Sequence, residues 1–191
     1  MNIAITGGIG SGKSYVCHLL AQQGVQVYDC DAAAKQLMNH SLQLRQQLTQ
    51  LIGDEVYTTD GRLCKRVLAK YLLASERNKM AVNDIVHPDV AADFLHSGKH
   101  WLESAILFES GFYKRIDFDY VVCVTAPEKL RVERIVKRDG INREQALQWI
   151  NNQMNQEEKL ERSDFQIIND GQIPLNPQIE HILNKINNNL K

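Results

Sequence analysis

Short hydrophobic runs alternate along this chain with longer stretches in which hydrophobic residues recur every three or four positions. Runs of the first kind predict β-strands, and stretches of the second kind predict helices that bury one face. Strands that alternate with helices favour a parallel sheet with helices on both faces. The sequence therefore predicts an α/β fold with a five-stranded parallel sheet, whose strands are Ile3–Ile5, Val25–Tyr28, Trp101–Ala105, Tyr120–Val124 and Phe165–Ile168.

The helical stretches differ greatly in length, and the longest separates the second strand from the third. It runs from about Ala32 to His96, which is too long for a simple crossover and predicts a helical subdomain on the substrate side. Because a residue that precedes proline avoids the helical conformation, His87 before Pro88 is expected at a helix boundary. This long region is interrupted at Gly53, Asp60-Gly61 and Pro88. The other predicted helices pass through Val16–Leu20, Glu128–Arg138, Arg143–Gln153 and Gln178–Leu190, and Asp139-Gly140 ends the second of these.

The composition, with 191 residues of which 24% are charged and 43% hydrophobic, is that of an ordinary soluble protein. A net charge of −1 gives no reason to expect attraction to nucleic acid or to a membrane surface. No hydrophobic run approaches membrane-spanning length, and residues 1–6 do not resemble a signal peptide. We expect a cytoplasmic protein without a nucleic-acid or membrane partner, either a monomer or a weak homo-oligomer, with reduced thiols at the widely spaced Cys17, Cys30, Cys64 and Cys123.

The segment between the first strand and the first helix matches the pattern Gly-x-x-x-x-Gly-Lys-Ser. It reads Gly7-Gly8-Ile9-Gly10-Ser11-Gly12-Lys13-Ser14. Its glycines let the backbone curl so that N–H groups point inward at phosphate oxygens, and the helix that begins there adds the positive end of its dipole. Lys13 would reach the β- and γ-phosphates, and the hydroxyl of Ser14 would ligate Mg²⁺. The segment therefore predicts a nucleotide-binding loop.

Two carboxylates follow the second strand, at Asp29 and Asp31. Ligands of open α/β sheets lie beyond the carboxyl ends of the strands, so these carboxylates are expected near the loop. In a β-like stretch residues 29 and 31 project to the same side, where they could hold the metal through water, orient a hydroxyl or accept its proton. Alternatively, Asp31 could cap the helix that follows it.

Basic residues cluster late in the chain, at Arg131, Arg134, Lys137, Arg138, Arg143, Lys159 and Arg162. Positions 131, 134 and 138 share one face of a predicted helix. A basic lid could close over the transferring phosphoryl group and neutralise its charge, with Arg138 the foremost candidate. The alternative is a solvated helix face that is balanced by Glu128 and Glu133. His96 and His100 are not expected to form a metal site, since Ser97-Gly98 interrupts the helix and no third ligand is evident.

An ordered set of motifs makes the chain resemble the dephospho-CoA kinase family over about Ile3 to Gly171. After the loop these motifs are Asp29-Cys30-Asp31, His87-Pro88, Leu107-Phe108-Glu109, Arg138-Asp139-Gly140 and Ser163-Asp164-Phe165-Gln166-Ile167-Ile168-Asn169. The resemblance implies a P-loop kinase that forms a single unit over residues 1–191. Its core would comprise about 1–31, 99–126 and 163–191, its helical CoA-side domain about 32–98 and its lid about 127–162.

The resemblance also implies transfer of the ATP γ-phosphoryl group to the ribose 3′-hydroxyl of dephospho-CoA, with Mg²⁺ as cofactor. The implied catalytic residues are Lys13, Asp31 and Arg138, and the implied metal ligand is Ser14, with Asp29 or Asp31 acting through water. The implied ATP-binding residues are Gly8, Ile9, Gly10, Ser11, Gly12, Lys13, Ser14, Tyr15 and, near the adenine, Asn169. The acceptor would meet Asp31, Lys65, His87, Leu107 and Glu109.

Some positions depart from the usual pattern of this family. Tyr15 stands where Thr is common, Cys30 where Ala is usual, and Ala105 where Pro is frequent. Lys159 stands where Arg is frequent, and Lys65 stands where Arg is typical. At Lys65 a bidentate phosphate contact would become a point charge, unless the neighbouring Arg66 compensates.

Other kinds of nucleotide-binding protein remain open at this point. Shikimate-, gluconate- and nucleotide-kinase-like enzymes are alternatives, although the glycine-rich turn that shikimate-type kinases carry after the third strand is missing. A GTP switch or a binding module is less well supported, because Asn78-Lys79-Met80-Ala81 lacks the Asp of the guanine-specific motif.

Overall fold

The computed structural model describes residues 1–188, and the chain divides into two compact units. One unit comprises Met1–Tyr28 together with the chain from Lys99 onward, and the other is Asp29–Gly98.

The first unit is built on a five-stranded parallel sheet, as the hydrophobic pattern predicted. Its strands lie in the order β2-β3-β1-β4-β5. The central strand β1 pairs in parallel with β3 and β4, and β4 pairs in parallel with β5. The strands are β1 (Ile3–Thr6), β2 (Val27–Asp29), β3 (Trp101–Glu103), β4 (Tyr120–Thr125) and β5 (Phe165–Ile168). The prediction was correct for β5, whereas β2 begins later and β3 ends earlier than the hydrophobic runs indicated.

Two helices pack against this sheet and fill its core. They are α1 (Lys13–Gln22) and α9 (Leu175–Asn188), and their buried residues form one cluster with residues of β1, β3, β4 and β5. Every residue of β1 is buried, which places the loop that follows it on a rigid base. The structure starts α9 before the predicted Gln178, and the predicted end at Leu190 lies outside the described residues.

Three further helices lie between β4 and β5. α6 (Glu128–Asp139) and α7 (Arg143–Asn151) pack together through Val132, Ile135, Ala146 and Ile150. The sequence analysis missed the short helix α8 (Gln156–Glu161), since its six residues are too few to show a hydrophobic period.

The second unit consists of four helices and a short 3₁₀ turn. The helices are α2 (Cys30–His40), α3 (Leu42–Ile52), α4 (Lys65–Ala74) and α5 (Glu76–His96), and the turn is Asp54–Val56. The helical nature of this region and its breaks at Gly53 and Asp60-Gly61 agree with the prediction.

The expected helix boundary at His87 is wrong, because α5 continues through Pro88. A proline inside a helix removes one hydrogen bond and costs about 3 kcal/mol. This helix buries Val82, Val86, Val90, Ala91 and Phe94, and burial of that many side chains outweighs the cost. Within residues 1–188, no helix combines the length and the apolar character that crossing a bilayer requires.

Candidate nucleotide-binding site

The loop between β1 and α1 has the strand–loop–helix setting that its sequence predicted. α1 begins at Lys13, and Gly12 stands at its N-cap without a side chain to cap it. The positive end of the α1 dipole therefore faces the loop, which favours an anion there.

Gly8 and Gly10 are required by the close approach of α6. A Cβ on Gly8 would collide with the guanidinium of Arg131, and a Cβ on Gly10 would lie 2.7 Å from the Arg131 carbonyl oxygen. Gly10 also has a φ of 78°, a conformation that residues with a side chain rarely adopt. The loop sequence is thus fitted to a helix that stands more than a hundred residues later in the chain.

Three side chains hold the loop from outside by binding its carbonyl groups. Nε of Arg131 donates to the Ile9 carbonyl at 3.0 Å, and Nη1 of Arg134 donates to the carbonyls of Gly10 and Ser11 at 3.2 Å each. Nδ2 of Asn169 donates to the Ser11 carbonyl at 2.8 Å. Carbonyls held outward in this way favour a loop whose N–H groups turn inward. We call Arg131, Arg134 and Asn169 the loop brace.

The members of the loop brace are themselves well fixed. Nη2 of Arg134 donates to both Oδ1 and the main-chain oxygen of Asn169 at 3.1 Å. Asn169 follows β5 and its N–H donates to the Thr125 carbonyl at 2.8 Å, which ties the brace to the end of β4. Burial lowers the pKa of Arg131, and the carboxylates of Glu128 and Glu157 raise it in part. A guanidinium so shifted still carries its charge at neutral pH.

Lys13 and Glu103 bring opposite charges together at the carboxyl edge of the sheet. The side chain of Lys13 is 9% exposed, and its Nζ lies 3.7 Å from Oε1 of Glu103, the last residue of β3. Ser14 is exposed at the start of α1, as is Tyr15. Ser11 Oγ is buried and has no hydrogen-bond partner among residues 1–188. A hydroxyl, a carboxylate and a lysine beside a glycine loop form a donor set that suits Mg²⁺ and a polyphosphate.

The other basic candidates occupy different surroundings. Arg138 pairs with its neighbour Asp139 through Nη2 and Oδ2 at 2.7 Å, and its side chain is 60% exposed. Arg143 is also exposed, on the first turn of α7. Arg131 and Arg134, in contrast, are bound to the loop, so the helix face that carries 131, 134 and 138 does not act as one solvated surface.

Lys159 and Glu109 form an ion pair next to the segment that follows β3. Lys159 is completely buried, and its Nζ lies 2.6 Å from Oε1 of Glu109 and donates to the Ala105 carbonyl at 2.8 Å. Glu109 Oε1 also accepts from the N–H of Met154 at 3.1 Å. Leu107 is completely buried, so its side chain contributes packing.

Asp29 and Asp31 belong to the second unit, and two expectations about them are corrected. α2 begins at Cys30, so the two aspartates do not share a β-like stretch. Asp29 rather than Asp31 is the helix cap, since Oδ1 of Asp29 accepts from the N–H of Ala32 at 2.9 Å. Asp31 stands exposed in the first turn of α2. A side chain that is not used for capping remains available for chemistry.

The remaining acceptor-side candidates in this unit lie on two helices. Lys65 is the first residue of α4 and is exposed, whereas His87 lies half-buried in the middle of α5. Their proposed contacts with a substrate stay predictions.

Comparison with known proteins identifies the family. The family model described as "Dephospho-CoA kinase" matches residues 1–174. The chain belongs to the dephospho-CoA kinase family. A dephospho-CoA kinase of Bacteroides fragilis is 46% identical over 190 residues, which cover 96% of this chain and 91% of the relative. One of Porphyromonas gingivalis is 40% identical, with 97% and 94% covered.

Solved structures agree with the fold. A Thermus thermophilus protein superposes with a TM-score of 0.80 at 30% identity, covering 100% of this chain and 98% of that one. The dephospho-CoA kinase of Campylobacter jejuni gives 0.64 at 20% identity, with 97% and 95% covered, and so supports the fold alone. A shikimate kinase of Acinetobacter baumannii likewise shares the fold, at 0.57 and 19% identity, with 98% and 93% covered.

Two groups around the loop of this dephospho-CoA kinase family member were not predicted from the sequence. Glu103 could have been found, because an acidic residue that ends a strand beside β1 must lie near the loop in a parallel sheet. The contact of Gln153 with the loop, where its Oε1 accepts from the N–H of Ile9 at 2.7 Å, had no signal in the sequence.

Proposed function

We propose that this protein transfers the γ-phosphoryl group of ATP to the ribose 3′-hydroxyl of dephospho-CoA, giving CoA and ADP in the final step of CoA biosynthesis. The observation that carries the proposal is the braced phosphate-binding loop with Lys13, in a chain that matches the dephospho-CoA kinase family over residues 1–174. The curated relatives at 46% and 40% identity bear the same name.

The donor side of the reaction belongs to the loop. Inward N–H groups and the start of α1 would bind the β- and γ-phosphates, and Lys13 would neutralise charge that develops on the transferring group. Because Lys13 already faces Glu103, its ammonium is held near the loop before ATP arrives. Such preorganisation means that little rearrangement is needed at the moment of transfer.

The metal would be held by residues at the carboxyl edge of the sheet, next to the loop. The Ser14 hydroxyl would ligate Mg²⁺, and Glu103 supplies a carboxylate within the unit that carries the loop. Asp29 or Asp31 would add a contact through water. When bound, Mg²⁺ bridges phosphate oxygens and neutralises their charge.

The acceptor side of the reaction would belong to Asp31, Lys65, His87, Leu107 and Glu109. Asp31 would align the 3′-hydroxyl by accepting its hydrogen bond and would take up the proton as the new O–P bond forms. Lys65, His87 and Glu109, with Leu107 as packing, would contact dephospho-CoA.

Arg138 and Arg143, two of the exposed cations of residues 127–162, would act from the lid on the phosphates. The adenine of ATP would lie near Asn169. We further propose that the protein works in the cytoplasm as a monomer or a weak homo-oligomer, without a nucleic-acid or membrane partner. Reduced thiols suit that compartment, and no disulfide joins any two of its four cysteines.

A steady-state comparison of acceptors tests this function. Purified protein with Mg²⁺ and saturating ATP is given dephospho-CoA, shikimate, gluconate or a nucleoside monophosphate, and ADP formation is followed. We expect kcat/KM for dephospho-CoA to exceed that for each other acceptor by about 1,000-fold or more, since a site built for polar groups rejects acceptors that leave those groups unpaired. The Lys13→Met variant sets the background. Dephospho-CoA turnover no higher than that background would overturn the proposal, and faster turnover of another acceptor would redirect it.

A further inference from the structure

Both polar main-chain groups of Ile9 are held by side chains from outside the loop. The N–H of Ile9 donates to Oε1 of Gln153 at 2.7 Å, and the carbonyl of Ile9 accepts from Nε of Arg131 at 3.0 Å. Gln153 comes 144 residues after Ile9 in the chain, in the segment that joins α7 to α8. We call Gln153, Ile9 and Arg131 the Ile9 clamp.

The clamp acts at the most adaptable part of the loop. Ile9 stands between Gly8 and Gly10, and glycine allows its backbone a wide range of conformations. The Ile9 N–H is bound to Gln153, a residue outside the loop. Fixing both ends of this residue therefore limits the rotation of the neighbouring peptide units and sets the direction of the N–H groups that follow.

The segment that carries Gln153 is anchored elsewhere as well. The N–H of Met154 donates to Oε1 of Glu109, the partner of the buried Lys159. Oε1 of Gln156 accepts from the N–H of Ala126 at 3.0 Å, directly after β4. Because these contacts fix the segment on the core of the same unit, Gln153 reaches the loop from a firm support.

We infer that Gln153 is a positioning residue for the phosphate-binding loop. It does not touch the nucleotide, but its amide oxygen holds the Ile9 N–H and keeps the loop in the geometry that binds phosphates. The inference rests on the proposed function only for ATP as the phosphoryl donor, and it does not depend on the acceptor.

This role predicts a selective defect. A nucleotide binds through its base and ribose as well as its phosphates, and the clamp concerns the phosphates alone. Loss of the Gln153 oxygen should therefore weaken binding of ADP while leaving binding of adenosine, which has no phosphate, nearly unchanged. A purely structural defect would weaken both ligands together.

Calorimetric titration of Gln153→Met with ADP in the presence of Mg²⁺, and separately with adenosine, tests the inference. Methionine has a similar length but no strong acceptor, and Gln153 borders a cavity of about 380 Å³ that leaves room for it. We expect the ADP dissociation constant to rise about three- to tenfold, because that factor corresponds to the free energy of one hydrogen bond. The adenosine dissociation constant should change less than twofold. KM for ATP should rise in step with the ADP constant.

Two further variants sharpen the result. Gln153→Glu keeps an oxygen acceptor at the same place, so its ratio of ADP to adenosine affinity should lie closer to wild type than that of Gln153→Met. Gln148→Met, at an exposed position of α7, should match wild type in both titrations. Thermal unfolding by circular dichroism identifies the folded variants. If Gln153→Met does not fold, Gln153→Glu is used instead, and its ratio of ADP to adenosine affinity is expected within threefold of wild type.

An unchanged ADP-to-adenosine ratio in Gln153→Met would overturn the inference, as would a Gln153→Glu variant that loses more ADP affinity than Gln153→Met. Failure of the proposed function would look different: wild type would bind ADP but would not phosphorylate dephospho-CoA. In that case a selective ADP defect in Gln153→Met would still support the clamp.

Discussion

Lys13 places its one charge in a nearly enclosed position at the mouth of the loop, 3.7 Å from Glu103. Lys13→Met keeps the length of the side chain and removes the charge, so stabilisation of the transferring phosphoryl group is lost. We expect kcat/KM for ATP to fall about 100-fold or more in a coupled ADP assay. Lys185→Met, at an exposed position of α9, is the matched control and should remain within twofold of wild type. Unchanged kinetics in Lys13→Met would contradict the assignment of the loop.

Asp31 is exposed in the first turn of α2 and is spared from capping by Asp29. Asp31→Asn preserves shape but cannot accept the proton of the acceptor hydroxyl. We expect kcat to fall by about two orders of magnitude while the ADP dissociation constant stays within twofold. Asp29→Ala should instead reduce thermal stability, because it removes the oxygen that caps α2. Near-normal turnover in Asp31→Asn would remove this residue from catalysis.

Cys123 lies fully buried in β4. Burial raises the pKa of its thiol to about 11, against 9.0 for an ordinary thiol. The cations of Lys159, Lys13 and Arg131 lower this pKa in part. The folded state thus holds the proton more tightly than the unfolded chain, so the stability gained is present below pH 9 and is lost as pH rises through about 11. Relative to Cys123→Ala, the wild-type free energy of unfolding should fall by about 2 kcal/mol between pH 9 and 11. Urea titrations across this range measure it, and parallel curves for the two proteins would refute it.

At the scale of elements, α6 is a support for the loop more than a free basic surface. Arg134 reaches the carbonyls of Gly10, Ser11 and Asn169. Arg134→Met would remove the guanidinium donor from these partly buried oxygens, of which the Ser11 carbonyl keeps its second donor, Nδ2 of Asn169. We expect the free energy of unfolding to fall by about 1–3 kcal/mol and KM for ATP to rise about tenfold. Urea unfolding and steady-state kinetics would show both effects, with Arg77→Met on the exposed face of α5 as control. A variant with wild-type stability and KM would show that the loop holds its shape unaided.

The sequence predicted elements well where a pattern is local. The strands show as short hydrophobic runs, and the break of α6 at Gly140 shows as a glycine after a charged helix. Two elements were mispredicted for physical reasons that lie outside the local pattern. α5 passes through Pro88 because tertiary burial outweighs the lost hydrogen bond, and α8 is too short to display a period.

The candidate site likewise contains residues that a local motif predicts and contacts that it does not predict. The residues proposed to bind the phosphates are contiguous from Gly8 to Tyr15, so a single motif predicts them. The loop brace and the Ile9 clamp join that motif to residues 122 to 158 positions away. Such pairs depend on how the sheet orders β4 and β5 beside β1, which the local sequence does not specify.

For the whole molecule, the fold by itself does not choose the acceptor. A shikimate kinase shares the architecture at a TM-score of 0.57, so an α/β core with a phosphate-binding loop is compatible with several hydroxyl acceptors. Membership in the dephospho-CoA kinase family, over residues 1–174, narrows the choice. Single changes at Lys65 or His87, which are proposed to contact the acceptor, should affect KM for dephospho-CoA more than KM for ATP.

The most direct test of the central claim is the identity of the product. Wild-type protein is incubated with Mg²⁺, ATP and dephospho-CoA, and the products are separated by liquid chromatography. Their masses are measured by mass spectrometry, and their ³¹P NMR spectra are compared with that of authentic CoA. We expect one CoA, phosphorylated on the ribose 3′-oxygen, for each ADP formed, and CoA formation about 100-fold slower or more with Lys13→Met. ADP that appears with inorganic phosphate alone, or with the phosphoryl group on any other atom, would contradict it.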